Sequence, residues 1–293
     1  MYQVICFGEI VWDMFPDGKK PGGAPMNVAL HLKKQGIVSK IISSVGNDDQ
    51  GKELKSFLQL QKLADDHIQT HPYLPTGTVS VQLDEHRQAI YTINQPVAWD
   101  EIHLTTASQE LIKNSDALVF GSLACRTETS RNSLLQLLEH SRISILDLNL
   151  RPPHFQPELL KELIAKCTIL KVNEEELEHL CMLFSISETN SIDQLQAFAD
   201  HTNTKTICVT LGSKGAIILH DKKTYQHPGF KVEVADTVGA GDAFLASFIA
   251  GFLQEVPVSE IIKRSCATGA LVASRKGANP DYTIKELEQL GNF

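Results

Sequence analysis

The chain contains no run of lysines or arginines, and its formal net charge is −8 over 293 residues. A polynucleotide-binding face needs clustered positive charge, so nucleic acid is not an expected partner. Long apolar runs are also missing. A membrane span needs roughly 18 such residues, and the best candidate, 243–253, is short and fits a protein core instead. Residues 1–8 carry no basic stretch and read as a first strand rather than an export signal. The six cysteines (6, 125, 167, 181, 208 and 266) form no Cys-x-x-Cys pair. Dispersed in this way, they read as reduced, buried thiols of a cytoplasmic protein, not as disulfides or a zinc site. Two nucleotide fingerprints are absent as well. There is no Gly-Lys-Ser/Thr loop, and no early glycine-rich turn with dinucleotide spacing. No repeat, low-complexity stretch or linker divides the chain, so 1–293 reads as a single domain.

What is present is a strand–helix alternation. Strands are expected over 3–8, 40–45, 116–121, 143–148, 168–172 and 206–211. Helices are expected over about 24–35, from about 51 to 62, and over 128–140, 157–166, 174–183, 191–201 and 258–274. Repeated βα units imply an α/β fold: a mostly parallel sheet with helices on both faces and ligands at the carboxyl ends of the strands. Residues 71–99 break the rhythm. Thr78–Leu83 alternates with period two, Asp84–Gln88 is turn-like, and Ala89–Ile93 returns as a second strand. This hairpin reads as a small β appendage, joined by residues 11–20 with a turn at Asp17-Gly18. Residues 216–234 suggest two or three short antiparallel strands at the sheet edge.

The most informative stretch is Asp236-Thr237-Val238-Gly239-Ala240-Gly241-Asp242, which feeds an apolar helix. A helix N-terminus presents unpaired N–H groups and attracts anions. Glycines at 239 and 241 let a ligand approach the backbone closely. Asp242 places a carboxylate beside that anion site. This is unfavourable for mere phosphate storage and sensible if the carboxylate takes the proton of a hydroxyl attacking a phosphate. Asp also caps helices, so the residues alone leave capping open.

Other polar residues fall where a sheet of this kind binds ligands. Asp13 follows the first strand, and Pro21-Gly22-Gly23-Ala24-Pro25 reads as a turn opening the helix whose first turn holds Asn27. Arg151 follows the strand at 143–148, with a planar fork suited to a transferring phosphate or to a surface ion pair. Asn173 and Glu176 open the helix at 174, an N-cap with an acidic first turn. Thr210, Gly212 and Gly215 close the strand at 206–211.

The motif at 236–242, with Gly22-Gly23-Ala24-Pro25-Met26-Asn27-Val28-Ala29 far upstream, resembles the two signatures of the ribokinase-like (PfkB) carbohydrate kinases. The resemblance spans the chain. Gly8-Glu9, Gly22 to Pro25 and Asn149 to Pro152 are most similar to the fructokinase-like branch. It implies a three-layer sandwich with a small β lid, formed by about 11–20 and 71–99, which in several members also makes a homodimer contact. It implies phosphoryl transfer from ATP to a sugar, with Asp242 as base and the Gly239, Ala240 and Gly241 amides on the developing charge. Asp13, Gly23 and Asn27 would hold the acceptor. Asn173 and Glu176 would position Mg²⁺ and phosphate, largely through water. Thr210, Gly212, Gly215 and the loop near Gly277 would hold the nucleotide. A monovalent cation such as K⁺ binds in some members, near Asp236 and Val238. Fructose is the acceptor this branch implies. Ribose, 2-keto-3-deoxygluconate and nucleosides are alternatives, and Val11 and Ala24 argue against ribose. A catalytically silent sugar-binding regulator on the same frame would be expected to lack Asp242, Glu176 or the glycines, all of which are present.

Overall fold

The structure, a computed structural model, describes residues 1–16, 18–83, 89–188 and 190–291. The chain opens with β1 (Gln3–Phe7), β2 (Val11–Phe15), β3 (Gly18–Gly22), α1 (Ala24–Lys34), β4 (Val38–Gly46), α2 (Asp49–Leu60) and β5 (Ile68–His71). There follow β6 (Thr78–Leu83), β7 (Ala89–Ile93), α3 (Thr106–Lys113), β8 (Ala117–Gly121), α4 (Glu128–Leu138), β9 (Ser144–Asp147), α5 (Pro157–Lys166) and β10 (Ile169–Asn173). The last elements are α6 (Glu174–Leu183), α7 (Ser191–Thr202), β11 (Thr206–Thr210), β12 (Ala216–His220), β13 (Lys223–His227), α8 (Ala240–Leu253), α9 (Val258–Ala273) and α10 (Ile284–Gly291).

Nine strands form the main sheet in the order β13-β12-β11-β10-β9-β8-β1-β4-β5. All pair in parallel except β12 and β13, which are antiparallel at one edge. Period two divides the strand residues between two cores. Ile5, Phe7, Leu118, Phe120, Leu170 and Val172 face one side, with leucines of α4, α5 and α6. Val4, Cys6, Val119, Ile145 and Ile169 face the other, with Met26, Leu54, Phe248 and Ile261 from α1, α2, α8 and α9. This is the expected three-layer arrangement. The succession of strands runs both ways from β1, so the crevice at the carboxyl end of β1 is the switch point where such sheets bind ligands.

A second sheet, β3-β2-β6-β7, contains the two strands of the expected hairpin, together with β2 and β3. Two details differ from the sequence expectation. Residues 68–71 pair with β4 and extend the main sheet, so the second sheet takes less than 71–99. Pro21 and Gly22 end β3 rather than belonging to a helix-opening turn. The short antiparallel strands expected at the sheet edge within 216–234 are there, as β12 and β13. The turns expected at Asp17 and over 84–88 lie outside the described residues. The six cysteines are free thiols, five of them buried.

Candidate active site

A cavity of about 1160 Å³ opens at the carboxyl ends of the strands and is walled on one side by the second sheet. It gathers Asp13, Gly23, Asn27, Arg151, Asn173, Thr210, Gly239, Gly241 and Asp242. Ala240, Glu176, Asp236, Gly212, Gly215 and Gly277 lie outside its lining.

Local geometry explains several of these positions. Gly23 is the N-cap of α1 at φ 110°, and a Cβ there would stand 2.4 Å from the Glu9 carbonyl oxygen. Glycine is therefore required where β3 passes into α1 beside the end of β1. Gly239 caps α8 at φ 79°, and a Cβ there would meet the Ala278 carbonyl oxygen at 2.4 Å. Asp236 accepts from Val238 N (3.1 Å) and Gly277 N (3.0 Å), which ties the turn before α8 to the loop after α9. Both its oxygens are thus spent on shaping these loops. Ala240 N–H donates to Thr237 O at 3.3 Å. Gly215 is at φ 89°, and a Cβ there would overlap the His227 carbonyl, so this glycine serves the packing of β12 against the end of β13.

Asp242 lies half-buried in the first turn of α8 and accepts from Asn27 Nδ2 at 2.8 Å. Burial, with Asp147 nearby, pushes its carboxyl up to about 6, while Lys171, the Asn27 amide and Arg151 pull it back. Asp13 is likewise raised to about 6 by burial, against Arg151 and Lys20. Asn173 caps α6 by accepting from Glu176 N (2.8 Å), and Glu176 returns the bond to Asn173 N (2.9 Å) and also accepts from Leu150 N (2.8 Å). The capping reading of this pair holds.

Two groups without an assigned role in the sequence reading occupy the same cavity. Glu9, just after β1, is 4% exposed, and its Oε2 has no hydrogen-bond partner among the described residues. Burial pushes its carboxyl up to about 7, with its own backbone N–H and Arg151 opposing. Lys171 on β10 donates to Asp147 on β9 at 2.9 Å, both buried. Its ammonium lies directly under α8, 3.2 Å from where a Cβ on Gly241 would stand. Burial disfavours this charge, but Asp147, Glu176 and Asp242 outweigh that and raise its pKa. A lysine inside the apolar run Ile169-Leu170-Lys171-Val172 is the sequence signal that could have exposed it, since a buried ammonium demands a carboxylate partner.

Chemically, the cavity joins a glycine-flanked helix N-terminus, a carboxylate in that helix's first turn, further carboxylates for hydroxyl groups, and one guanidinium. This combination suits transfer of an anionic group to a hydroxyl.

Comparison with known proteins agrees in extent and fold. The pattern of the pfkB family carbohydrate kinases matches residues 2–285. The fructokinase of Vibrio alginolyticus is 28% identical, over 95% of this chain and 95% of its own. Fructokinase-2 of Solanum habrochaites is 28% identical, over 94% of this chain and 92% of its own. A double mutant of fructokinase from Vibrio cholerae O395, solved in its fructose, ADP and potassium ion bound form, superposes with a TM-score of 0.82. It is 25% identical, over 99% of this chain and 98% of its own.

Proposed function

This chain belongs to the pfkB family of carbohydrate kinases, and on that premise we propose that it transfers the γ-phosphate of ATP to a hydroxyl of fructose. The observation that carries the reading is the placing of Asp242. Its carboxylate lies in the first turn of α8, is held by Asn27, and lines the same cavity as Asp13, Glu9 and Arg151. Three carboxylates offer acceptors to sugar hydroxyls and disfavour an acceptor that brings its own carboxylate or phosphate. The fructokinases among its relatives support the choice of sugar.

In the proposed reaction Asp13, Gly23 and Asn27 hold the sugar. The hydroxyl gives its proton to Asp242 as its oxygen forms a bond to the γ-phosphorus, and ADP leaves with the bridging oxygen. Gly239 and Gly241 N–H groups and the Arg151 guanidinium stabilise the charge in transit, and Ala240 joins them by giving up Thr237 O. Thr210, Asn173 and the neighbourhood of Gly212, Gly215 and Gly277 take the nucleotide. Mg²⁺ fits the Asn173–Glu176 corner. Both Glu176 oxygens already accept backbone N–H groups, which suits an ion held through its own waters. When bound, Mg²⁺ would neutralise phosphate charge. Asp236 shapes the loop whose backbone would hold a monovalent cation such as K⁺, an ion present with the Vibrio cholerae relative. The second sheet serves as a lid over the sugar and as the contact of a homodimer. The chain's six free thiols suit a cytoplasmic protein.

The test is ADP release from ATP·Mg²⁺ with fructose, ribose, 2-keto-3-deoxygluconate, adenosine and fructose phosphates. Fructose should be turned over fastest. Asp242→Asn should lower kcat at least about a thousandfold with ATP affinity nearly unchanged. Preference for another acceptor would overturn the choice of sugar, and near-native turnover by the variant would overturn the base.

A further inference from the structure

We propose that Asn279 is a positioning residue for phosphoryl transfer: it fixes the polarity of the Asn27 amide, and through that amide the orientation of the Asp242 carboxylate. The proposal rests on the role of Asp242 as base. An ionised carboxylate only accepts hydrogen bonds, so Asn27 must turn its NH₂ toward Asp242. It does so, with Nδ2 2.8 Å from Asp242 Oδ2. Asn27 Oδ1 then faces the opposite way and needs a donor. Asn279 Nδ2 supplies one at 2.6 Å. The remaining oxygen of Asn279 is buried and has no hydrogen-bond partner among the described residues. The Asn279 amide thus leaves its own acceptor unsatisfied while presenting a donor to Asn27, the orientation that an ionised Asp242 dictates.

Asn279 can act in this way because its loop is strapped along one face of α1. Residues 27, 31 and 34 follow one another at helical spacing. His31 lies fully buried, with Nε2 2.9 Å from Ala278 O and Nδ1 3.0 Å from the Tyr282 hydroxyl. A carbonyl cannot donate, so the proton sits on Nε2 and the tyrosine donates to Nδ1. Burial lowers the His31 pKa to about 4, which keeps the ring neutral and the contacts fixed at neutral pH. Lys34 Nζ donates to Asn279 O (3.1 Å) and Pro280 O (2.8 Å). One face of α1 therefore holds the loop after α9 in place, and that loop holds the base.

The chain of amides matters most when Asp242 has taken the proton. A neutral carboxyl can donate, so the Asn27 amide could then flip and present its oxygen to Asp242. With Asn279 in place, a flip would set two NH₂ groups against each other. Asn279 thus favours return of Asp242 to the ionised form. The other charges facing Asp242 are Glu9 after β1, Asp147 on β9, Arg151 in the next loop and Lys171 on β10. They act through space and set the baseline from which Asn279 works.

Two variants of nearly the same shape test this. Asn279→Leu removes the donor, and Asn279→Asp replaces it with an acceptor. The Asp242 pKa is read from its carboxyl ¹³C resonance in the free enzyme, which needs no acceptor, and from the acid limb of kcat with fructose. Asn279→Leu should raise both by about half a pH unit, and Asn279→Asp by more, with ATP affinity and Tm close to native. An unchanged carboxyl pKa in both variants would overturn the proposal, because a purely packing role predicts that result. Should neither variant fold, the Asn279 side-chain ¹⁵N resonance of the unaltered enzyme must titrate with Asp242, and its failure to do so also overturns it. A raised pKa with turnover indifferent to Asp242→Asn would instead strike down the base role on which the proposal stands.

Discussion

At the scale of single residues, the cavity concentrates carboxylates that the fold would be more stable without. Glu9 moves from an ordinary value of 4.5 to about 7, and burial is the main cause. The folded protein therefore binds this proton more tightly than the unfolded chain does. Glu9's own contribution to stability is least unfavourable below about pH 4.5, worsens as pH rises through the window up to about 7, and stays unfavourable above it. Glu9→Gln removes the penalty. At pH 8 the variant should unfold at a higher temperature, by up to about 3 kcal/mol in stability, and the gain should vanish near pH 4. Thermal melts of both proteins at several pH values check this. An equal gain at every pH would mean that packing, not charge, is responsible. Residue-scale legibility in the sequence was uneven for a physical reason. Asp242 and Gly239 stand in one short turn, so their relation is local and readable. Glu9 and Asn279 gain meaning only from groups on other elements, such as Asp242 and Asn27, and local spacing carries no trace of these. Lys171 stands out in its apolar run, but nothing local names Asp147 as its partner.

Secondary-structure elements were legible where burial imposed a period. The buried runs of β1, β8, β10 and β11, and helices α5 to α7, fell close to their expected limits because each must bury a face against the sheet. The eight-residue helices α3 and α10 were not anticipated, since two turns leave little periodicity to read. β5 is likewise absent from the expected strands, because four residues leave no period to read. Near α3 one ion pair connects elements in a way the sequence did not suggest. Arg126 donates to both carboxylate oxygens of Asp100 (2.6 and 2.8 Å) and to Asn94 O (2.8 Å), and its guanidinium stacks 3.9 Å from the centre of the Trp99 ring. These contacts bolt the segment leaving β7 to the body of the protein. Both charged side chains are almost fully buried, so removing one strands the other. Arg126→Ala should cost about 3–5 kcal/mol in denaturant unfolding. A loss below about 1 kcal/mol would mean that water reaches Asp100 and replaces the guanidinium.

For the whole molecule, the question is how a site open to solvent avoids passing phosphate to water. The two sheets are joined at few places, and two of these are conformationally special. Gly8, between β1 and β2, has φ 141°, and Gly23, between β3 and α1, has φ 110°. The second sheet contributes Val11, Asp13, Val79, Thr92 and Ile93 to the cavity wall, opposite the turn that precedes α8. An acceptor held by Asp13 on β2 and by Asn27 on α1 would touch both bodies at once, so its binding energy is available to draw them together. The thick sheet, with a core on each face, has little freedom to respond. Closure should therefore appear in only one part of the protein. Amide hydrogen exchange in residues 78–83 and 89–93 should slow severalfold when fructose and a non-hydrolysable ATP analogue are added together, and much less with either alone. Exchange in β8 to β11 should be unchanged. Equal slowing throughout would indicate general stabilisation by ligand. No slowing in β6 and β7 would mean that the second sheet is a fixed wall, and protection from water would then have to come from the acceptor filling the cavity.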